Sequence, residues 1–480
     1  MASPPHPRLP KPTAAELTAL VEVARGRRAA TLYFRGGTVF SAYTGEIFPA
    51  NVAVWRDRIA YVGASEAMVG PRTRVIDATG RVLVPGYIEP HTHPYHLYNP
   101  YTFCAAVLPR GTTTAVCDQV MLFTVLDDAG FAALVRDMDR LPLRYLWSIR
   151  PGPATILPGM RGSFPRGRIR RALRLPQAIQ AGEFVNWPFL LDGDPVLMDS
   201  VAFARALGKR VDGHASGAGW DTLAALAAAG VTSCHESITA DEVLMRLRLG
   251  LHAMLRHSSL RPDLPVLADA VARLGPHTAR VMLTADGPAP PYLKQGYTDY
   301  LLRTAMEAGI DPVIALQMVT VNPATYFGLD EELGVIGPGR RADILVLRDV
   351  RDPLPEMVFV DGDLVAREGR LVTQIREPRW SRYRWDRPLA PRGWRPEPAL
   401  VRVPAADPFP VMQLVNAAIT RREDRSLPVR HGAVDIAAVD GLCAAVLVDR
   451  SARWVVHAVV DGLGAIDGLA TSCTSARGVL

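Results

Sequence analysis

Hydrophobic and polar positions change rhythm several times along this chain. Residues 13–28 (TAAELTALVEVARGRR) space their apolar side chains along one helical face and end in basic residues, which predicts an N-terminal helix. Between 30 and 80 the short β-type runs ATLYFRGG, TVFSAY, NVAVWRD, RIAYVG and RVIDATG are broken by Gly, Asp and Asn, and predict a small sheet domain. From 81 to about 327 the pattern becomes strand, loop, helix, repeated. Its strand-like runs are VLVPGYIEP, TTTAVCD, RYLWSIR, a short one near EFVNW, KRVDGH, VTSCHE, LHAMLR and RVMLTAD. Stretches of helical length, such as DTLAALAAAG and ADEVLMRLRLG, separate most of them. Eight strands alternating with helices predict an α/β fold, most simply a closed (β/α)8 TIM barrel.

β-type text returns in GVIGPGRRADILVLRDV, MVFVDGDLV and REGRLV, as if completing the first sheet domain. The predicted organisation is therefore a tail and helix over 1–29 and a flanking β-sandwich built from both flanks, 30–80 and 331–374. The barrel takes 81–330, a Pro/Trp/Arg linker 375–400, and a C-terminal α/β domain 401–480. In that last domain PFPVMQLVNAAITRR reads as a helix, and the stop at SARGVL, in strand-like text, reads as an incomplete end.

Composition narrows the classes. At 480 residues, 49% hydrophobic and 21% charged, the chain has material for a large core and is not disordered. No apolar run approaches the roughly 20 residues of a membrane helix, and the N-terminus lacks the apolar segment of a secretory signal. A reducing cytoplasm is the default location. The net charge of +6 is mild and almost all arginine. Arginines mix with Trp and Tyr at 377–397, where a solvated linker is the preferred reading over a nucleic-acid surface. Five cysteines without C-x-x-C spacing indicate neither a disulfide framework nor a zinc ribbon.

The chemistry-bearing residues stand at the C-terminal ends of the predicted strands, the face on which barrel enzymes build their sites. EPHTHP gives His91 and His93, whose i, i+2 spacing on an extended segment turns both imidazoles to one side. Strand four ends near Glu183, strand five gives His214 in DGH, strand six gives His235 and then Glu236, and strand eight gives Asp286 in TAD. Four histidines and two carboxylates are enough to hold two metal ions.

In this order the residues resemble the amidohydrolase superfamily, and within it the adenine deaminase family. The likeness is carried by VLVPGYIEPHTH, RGTTTAVCD, GEFVNWP, LGVIGPGRRADILVL and above all DGHASGAGWDTLAALAAAGVTSCHESITADEVLMRLRLG. It implies a barrel with a flanking sandwich, a homodimer, and hydrolytic deamination of adenine to hypoxanthine and ammonia. It further implies one ion held by His91, His93 and Asp286, a second by His214 and His235, and Glu183 as the bridge. Many superfamily members bridge with a carbamylated lysine at strand four; this chain has no lysine between Lys11 and Lys209. Fe2+ or Mn2+ is the expected pair of divalent metal ions, and Zn2+ also suits the ligands.

Metal-activated water would attack the ring carbon, with Asp286 moving the proton to the leaving nitrogen. Glu236 would protonate a ring nitrogen or, alternatively, orient a ligand. Asp118, Arg150, Trp147, Tyr95, His96 and Arg256 are the candidates for touching the purine, while His252, His257 and His277 read as ordinary histidines. The chain departs from the family pattern at PYHLYNP after the H-x-H pair, at CDQVM after GTTT, at TADGP, and at TSCTSAR near the end. These departures point to a substituted adenine such as N6-methyladenine. A cyclic-amide hydrolase on the same scaffold, and a non-catalytic barrel, are the rival readings.

Overall fold

The computed structural model describes residues 9–153, 161–383, 397, 399, 402–415, 420–449, 455–463 and 478–479. The N-terminal helix, Ala14–Ala24, starts at a capping box. Thr13 Oγ1 accepts from Glu16 N, and the Glu16 carboxylate accepts from Thr13 N at 2.8 Å. Its inner residues Leu20 and Val23 pack on Tyr33 and Ala53 of the sheet domain.

Two sheets make the flanking sandwich. A four-stranded sheet orders Arg58–Gly63, Asn51–Trp55, Leu32–Arg35 and Arg74–Asp77. The seven-stranded sheet runs Arg370–Leu371, Asp363–Arg367, Met357–Val360, Ile344–Leu347, Val82–Pro85, Thr38–Phe40, Ile47–Pro49. The two chain flanks meet where Ile344–Leu347 pairs antiparallel with Val82–Pro85. Phe34, Val52, Val54, Leu83, Ile344 and Phe359 fill the space between the sheets.

The barrel is eight parallel strands in chain order: Tyr87–Thr92, Thr112–Asp118, Arg144–Ile149, Ala178–Phe184, Arg210–Gly213, Ser233–Cys234, His252–Arg256 and Val281–Thr284. A parallel bridge between Thr92 and Asp286 brings the eighth strand back to the first. Two expectations shift here. VLVPGYIEP is two strands, because Val82–Pro85 belongs to the sandwich and only Tyr87–Thr92 to the barrel. Between them Gly86 lies so close to the second strand that a Cβ would stand 2.2 Å from Thr113 Oγ1. The fourth strand spans Ala178–Phe184, beginning before EFVNW and ending beside Glu183 as expected. Among the described residues no helix is long and apolar enough to cross a membrane.

Barrel and sandwich are pinned by a buried ion network. Arg144, 0% exposed, donates to Asp343 Oδ2 at 2.7 Å, Asp361 Oδ1 at 2.9 Å and Thr114 Oγ1 at 3.1 Å. Removing one member strands a buried charge, which costs about 3–5 kcal/mol. We expect Arg144→Ala to lower unfolding free energy by about that amount in urea titration; a loss under about 1 kcal/mol, the scale of an exposed ion pair, would contradict it.

The C-terminal region differs most from expectation. Phe409–Leu414 and Thr420–Arg425 form an antiparallel hairpin where a helix was predicted, in a sheet with Leu442–Asp449, Val455–Asp461 and Gly478–Val479. Burial alternates along Phe409–Met412, the period of a strand. No α-helix occurs among the described residues of 401–480, so the described part is a β structure and not α/β. TSCTSAR lies outside the described residues.

Candidate metal centre at the barrel mouth

All eight barrel strands send a charged or imidazole side chain to the same end. His91 and His93 close the first strand, Asp118 the second, Arg150 follows the third and Glu183 closes the fourth. Asp212 and His214 come from the fifth, His235 and Glu236 follow the sixth, Arg256 closes the seventh and Asp286 follows the eighth. Asp286 has φ 53°, a left-handed conformation that Asp tolerates better than most residues. It is held there because its carbonyl accepts from His93 N at 2.9 Å and Thr92 Oγ1 at 2.8 Å.

The six residues expected as ligands converge in two overlapping groups. In the first, His91 Nε2 is 2.9 Å from His93 Nε2, and Asp286 Oδ1 is 3.5 Å and 3.1 Å from those two atoms. In the second, His235 Nε2 lies 3.3 Å from His214 Nδ1 and 3.4 Å from Glu183 Oε1, and Glu183 also pairs with His214. Glu183 spans the groups, since its Oε2 is 3.2 Å from His93 Nε2. Ligand atoms of His91, His93 and Glu183, and of Glu183, His214 and His235, lie within 4.8 Å of one another.

The electrostatics favour cations. Asp118, Glu183, Asp212, Glu236 and Asp286 are all under 9% exposed, as are Arg150, Arg256 and Arg261. Five carboxylates against three guanidiniums leave negative charge that protonated histidines balance and that divalent ions would balance in their place. Burial opposes charge at each acid, yet Glu183 is held well below the usual carboxylate range by Arg150, His214 and His93. Asp286 is likewise held low, by hydrogen bonds from His91 and His93 and by the Arg256 charge. Burial also opposes charge on His93, but Asp118 and Glu183 outweigh it and raise its pKa well above the ordinary histidine value. Asp212 and Glu183 do the same for His235.

These shifts carry a sign. Below their raised pKa values His93 and His235 hold protons, and a metal ligand must be neutral. Ion uptake should therefore release protons, and affinity should rise with pH. Calorimetric titration in buffers of different ionisation enthalpy reads this; uptake with no proton release would contradict it.

Other expected residues land differently. Asp118 Oδ2 takes His93 Nδ1 at 2.9 Å and Arg150 at 3.0 Å, so it braces His93. Arg150 also pairs with Glu183. Arg256 Nη1 bridges Glu236 Oε1 at 2.5 Å and Asp286 Oδ2 at 2.7 Å. Trp147 is corrected to a core residue. It alternates with Leu146 and Ser148 along its strand, is fully buried, and packs between Tyr95 at 5.6 Å and Phe131 at 5.4 Å. Tyr95 is its stacking partner, and the His96 side chain lies outside the described ones. His257 packs against Tyr300 and Tyr292.

Three residues were not anticipated. Arg261 Nη1 donates to Glu236 Oε2 at 2.5 Å, giving Glu236 a second guanidinium. Glu89 lies beneath the H-x-H pair and ties the barrel closure by accepting from Thr284 Oγ1 and Ala285 N. Burial pushes its pKa up to about 7 against those hydrogen bonds. Asp212, fully buried, stands 3.0 Å from His91 Nδ1 and 3.6 Å from His235 Nδ1. Its signal was the acid two places before His214 in VDGH.

Comparison with known proteins agrees with this geometry. Residues 82–366 match the model of the amidohydrolase family. The adenine deaminase of Moorella thermoacetica is 35% identical over 455 residues, covering 92% of this chain and 75% of that protein. Adenine deaminase 3 of Rhizobium meliloti is 34% identical over 460 residues, covering 93% and 77%. Among solved structures, a β-aspartyl dipeptidase from Fervidobacterium islandicum has a TM-score of 0.55 at 17% identity, covering 72% of this chain and 98% of that one. A dihydropyrimidinase from Brevibacillus agri has a TM-score of 0.53 at 15% identity, covering 72% and 96%. At such identities these two speak for the fold alone. The chain belongs to the amidohydrolase family, within its adenine deaminase branch, and is a hydrolase acting on carbon–nitrogen bonds.

Proposed function

We propose that this protein hydrolytically deaminates adenine or a 6-substituted adenine, giving hypoxanthine plus ammonia or an amine, with two divalent ions at the barrel mouth. The observation that carries the reading is the convergence of His91, His93, Glu183, His214, His235 and Asp286, in two groups that share Glu183. His91, His93 and Asp286 would hold one ion, His214 and His235 the other, and Glu183 both. Fe2+, Mn2+ or Zn2+ suits that donor set. Ions bound there would make water nucleophilic at neutral pH, by lowering its pKa from 15.7 to roughly 7.

The chain's own groups do the rest. Asp286, fixed by Arg256 on Oδ2, takes the proton of the attacking water and returns it to the departing nitrogen. Glu236 was expected to protonate a ring nitrogen. Its two arginines, Arg256 and Arg261, stabilise the carboxylate instead, and its pKa is lowered despite burial by His214, His235 and those arginines. This favours the alternative role, a carboxylate that orients a ligand. Arg150 and Asp118 keep Glu183 and His93 in place.

The adenine assignment draws on the names of the relatives, and the preference for a substituted amine on the altered PYHLYNP and TADGP stretches. Metal-loaded protein assayed against adenine, N6-methyladenine, guanine and cytosine tests it. Ammonia or methylamine release from the adenines is the expected result. Turnover on adenine far above that on N6-methyladenine would remove the substituted-amine preference, and no release from either would remove the deaminase reading. Ring opening of a cyclic amide without amine release would favour the rival.

A further inference from the structure

We propose that Asp212 is a positioning residue that couples the two ion positions, through one carboxylate oxygen shared by a ligand histidine of each; this rests on the two-ion reading above. Asp212 lies in the fifth strand and is 0% exposed. Its Oδ1 is anchored. It accepts from Ser233 Oγ at 2.6 Å, Ser233 Oγ accepts from Tyr326 OH at 2.8 Å, and that hydroxyl shares a 2.8 Å hydrogen bond with Thr232 Oγ1. Its Oδ2 faces His91 Nδ1 and His235 Nδ1, at 3.0 Å and 3.6 Å. Asp212 Oδ2 and His235 Nδ1 are both buried without an aligned hydrogen bond.

The two rings are also tied to each other. His91 and His235 stack at 3.9 Å between centroids with 25° between planes, so each ring packs against the face of the other. Each directs its Nε2 at a different group, His91 toward His93 and Asp286, His235 toward His214 and Glu183. A histidine that ligates through Nε2 carries its proton on Nδ1, and the acceptor at Nδ1 selects that tautomer. One oxygen has lone pairs for two such protons. Seating an ion on His91 therefore draws Asp212 Oδ2 into the geometry that also prepares His235. The prediction is cooperative loading of both positions, with a common dependence on one acid that ligates neither.

The experiment is Mn2+ titration of the metal-free full chain, wild type against Asp212→Asn and Ser233→Ala, followed by calorimetry and by the electron paramagnetic resonance signal of free Mn2+. Wild type should bind two ions cooperatively. Asp212→Asn keeps the volume but offers an amide that can donate toward the rings, and should weaken both ions together by about 10–100-fold. Ser233→Ala, which keeps every group at the ions and removes only the anchor of Oδ1, should weaken both to a smaller extent; it carries the test if the asparagine variant fails to fold by circular dichroism. Weakening of one ion alone, or unchanged binding of both, would overturn the proposal. So would a third wild-type ion lost in Asp212→Asn, which would make Asp212 a ligand. Fewer than two ions in the wild type would remove the two-ion reading itself, and this inference with it.

Discussion

Asp286→Asn is expected to lower kcat by about 10²–10⁴-fold while leaving KM close to the wild-type value. The amide keeps an oxygen toward His91 and His93, which lie 3.5 Å and 3.1 Å from the native carboxylate, so a ligand position survives. On the proposed function, what disappears is the ability to take a proton from water and give it to the leaving nitrogen. The Arg256 guanidinium, 2.7 Å from Oδ2, then faces an amide that no longer balances its charge. Steady-state kinetics on the metal-loaded variant reads this. Full activity would remove Asp286 from the chemistry, and a raised KM with unchanged kcat would make it a binding group only.

Glu183→Gln should act on the metal content as well as on the rate. The two oxygens of Glu183 divide between the groups, Oε1 toward His214 and His235, Oε2 toward His93 and Arg150. Glutamine retains one oxygen and turns an amide donor toward the other side. We expect one ion per chain in place of two, and turnover reduced by about 10³-fold or more, because the remaining ion alone must activate water. Elemental analysis after gel filtration, run beside the kinetics, checks both parts. A variant that keeps two ions and wild-type turnover would show that Glu183 is not the bridge.

How far the sequence reaches depends on what kind of constraint each residue obeys. The convergence of the H-x-H pair, His214, His235 and Asp286 was legible because each stands at the end of an apolar strand, and strand ends of a barrel meet at one face. Asp212, Glu89 and Arg261 were not. Their reasons are buried contacts to other segments: Asp212 to His91 and His235, Glu89 to Thr284 and Ala285, and Arg261 to Glu236. Trp147 was misplaced because a one-residue step along a strand turns a side chain from the barrel interior to the helix layer. The strand Phe409–Leu414 was misread because its short run of alternation is followed by VNAAI, whose two alanines suit a helix. The join between Ile344–Leu347 and Val82–Pro85 was legible in outline, since two sets of short β runs flank the barrel text. The break at Gly86 was not, because it arises from the closeness of Thr113 on the neighbouring strand.

A crystal of protein loaded with Mn2+, with anomalous scattering recorded at the metal edge, examines the account most directly. Two peaks are predicted, one among His91, His93 and Asp286 and one among His214 and His235, with Glu183 touching both. A single peak, or peaks away from these side chains, would contradict it.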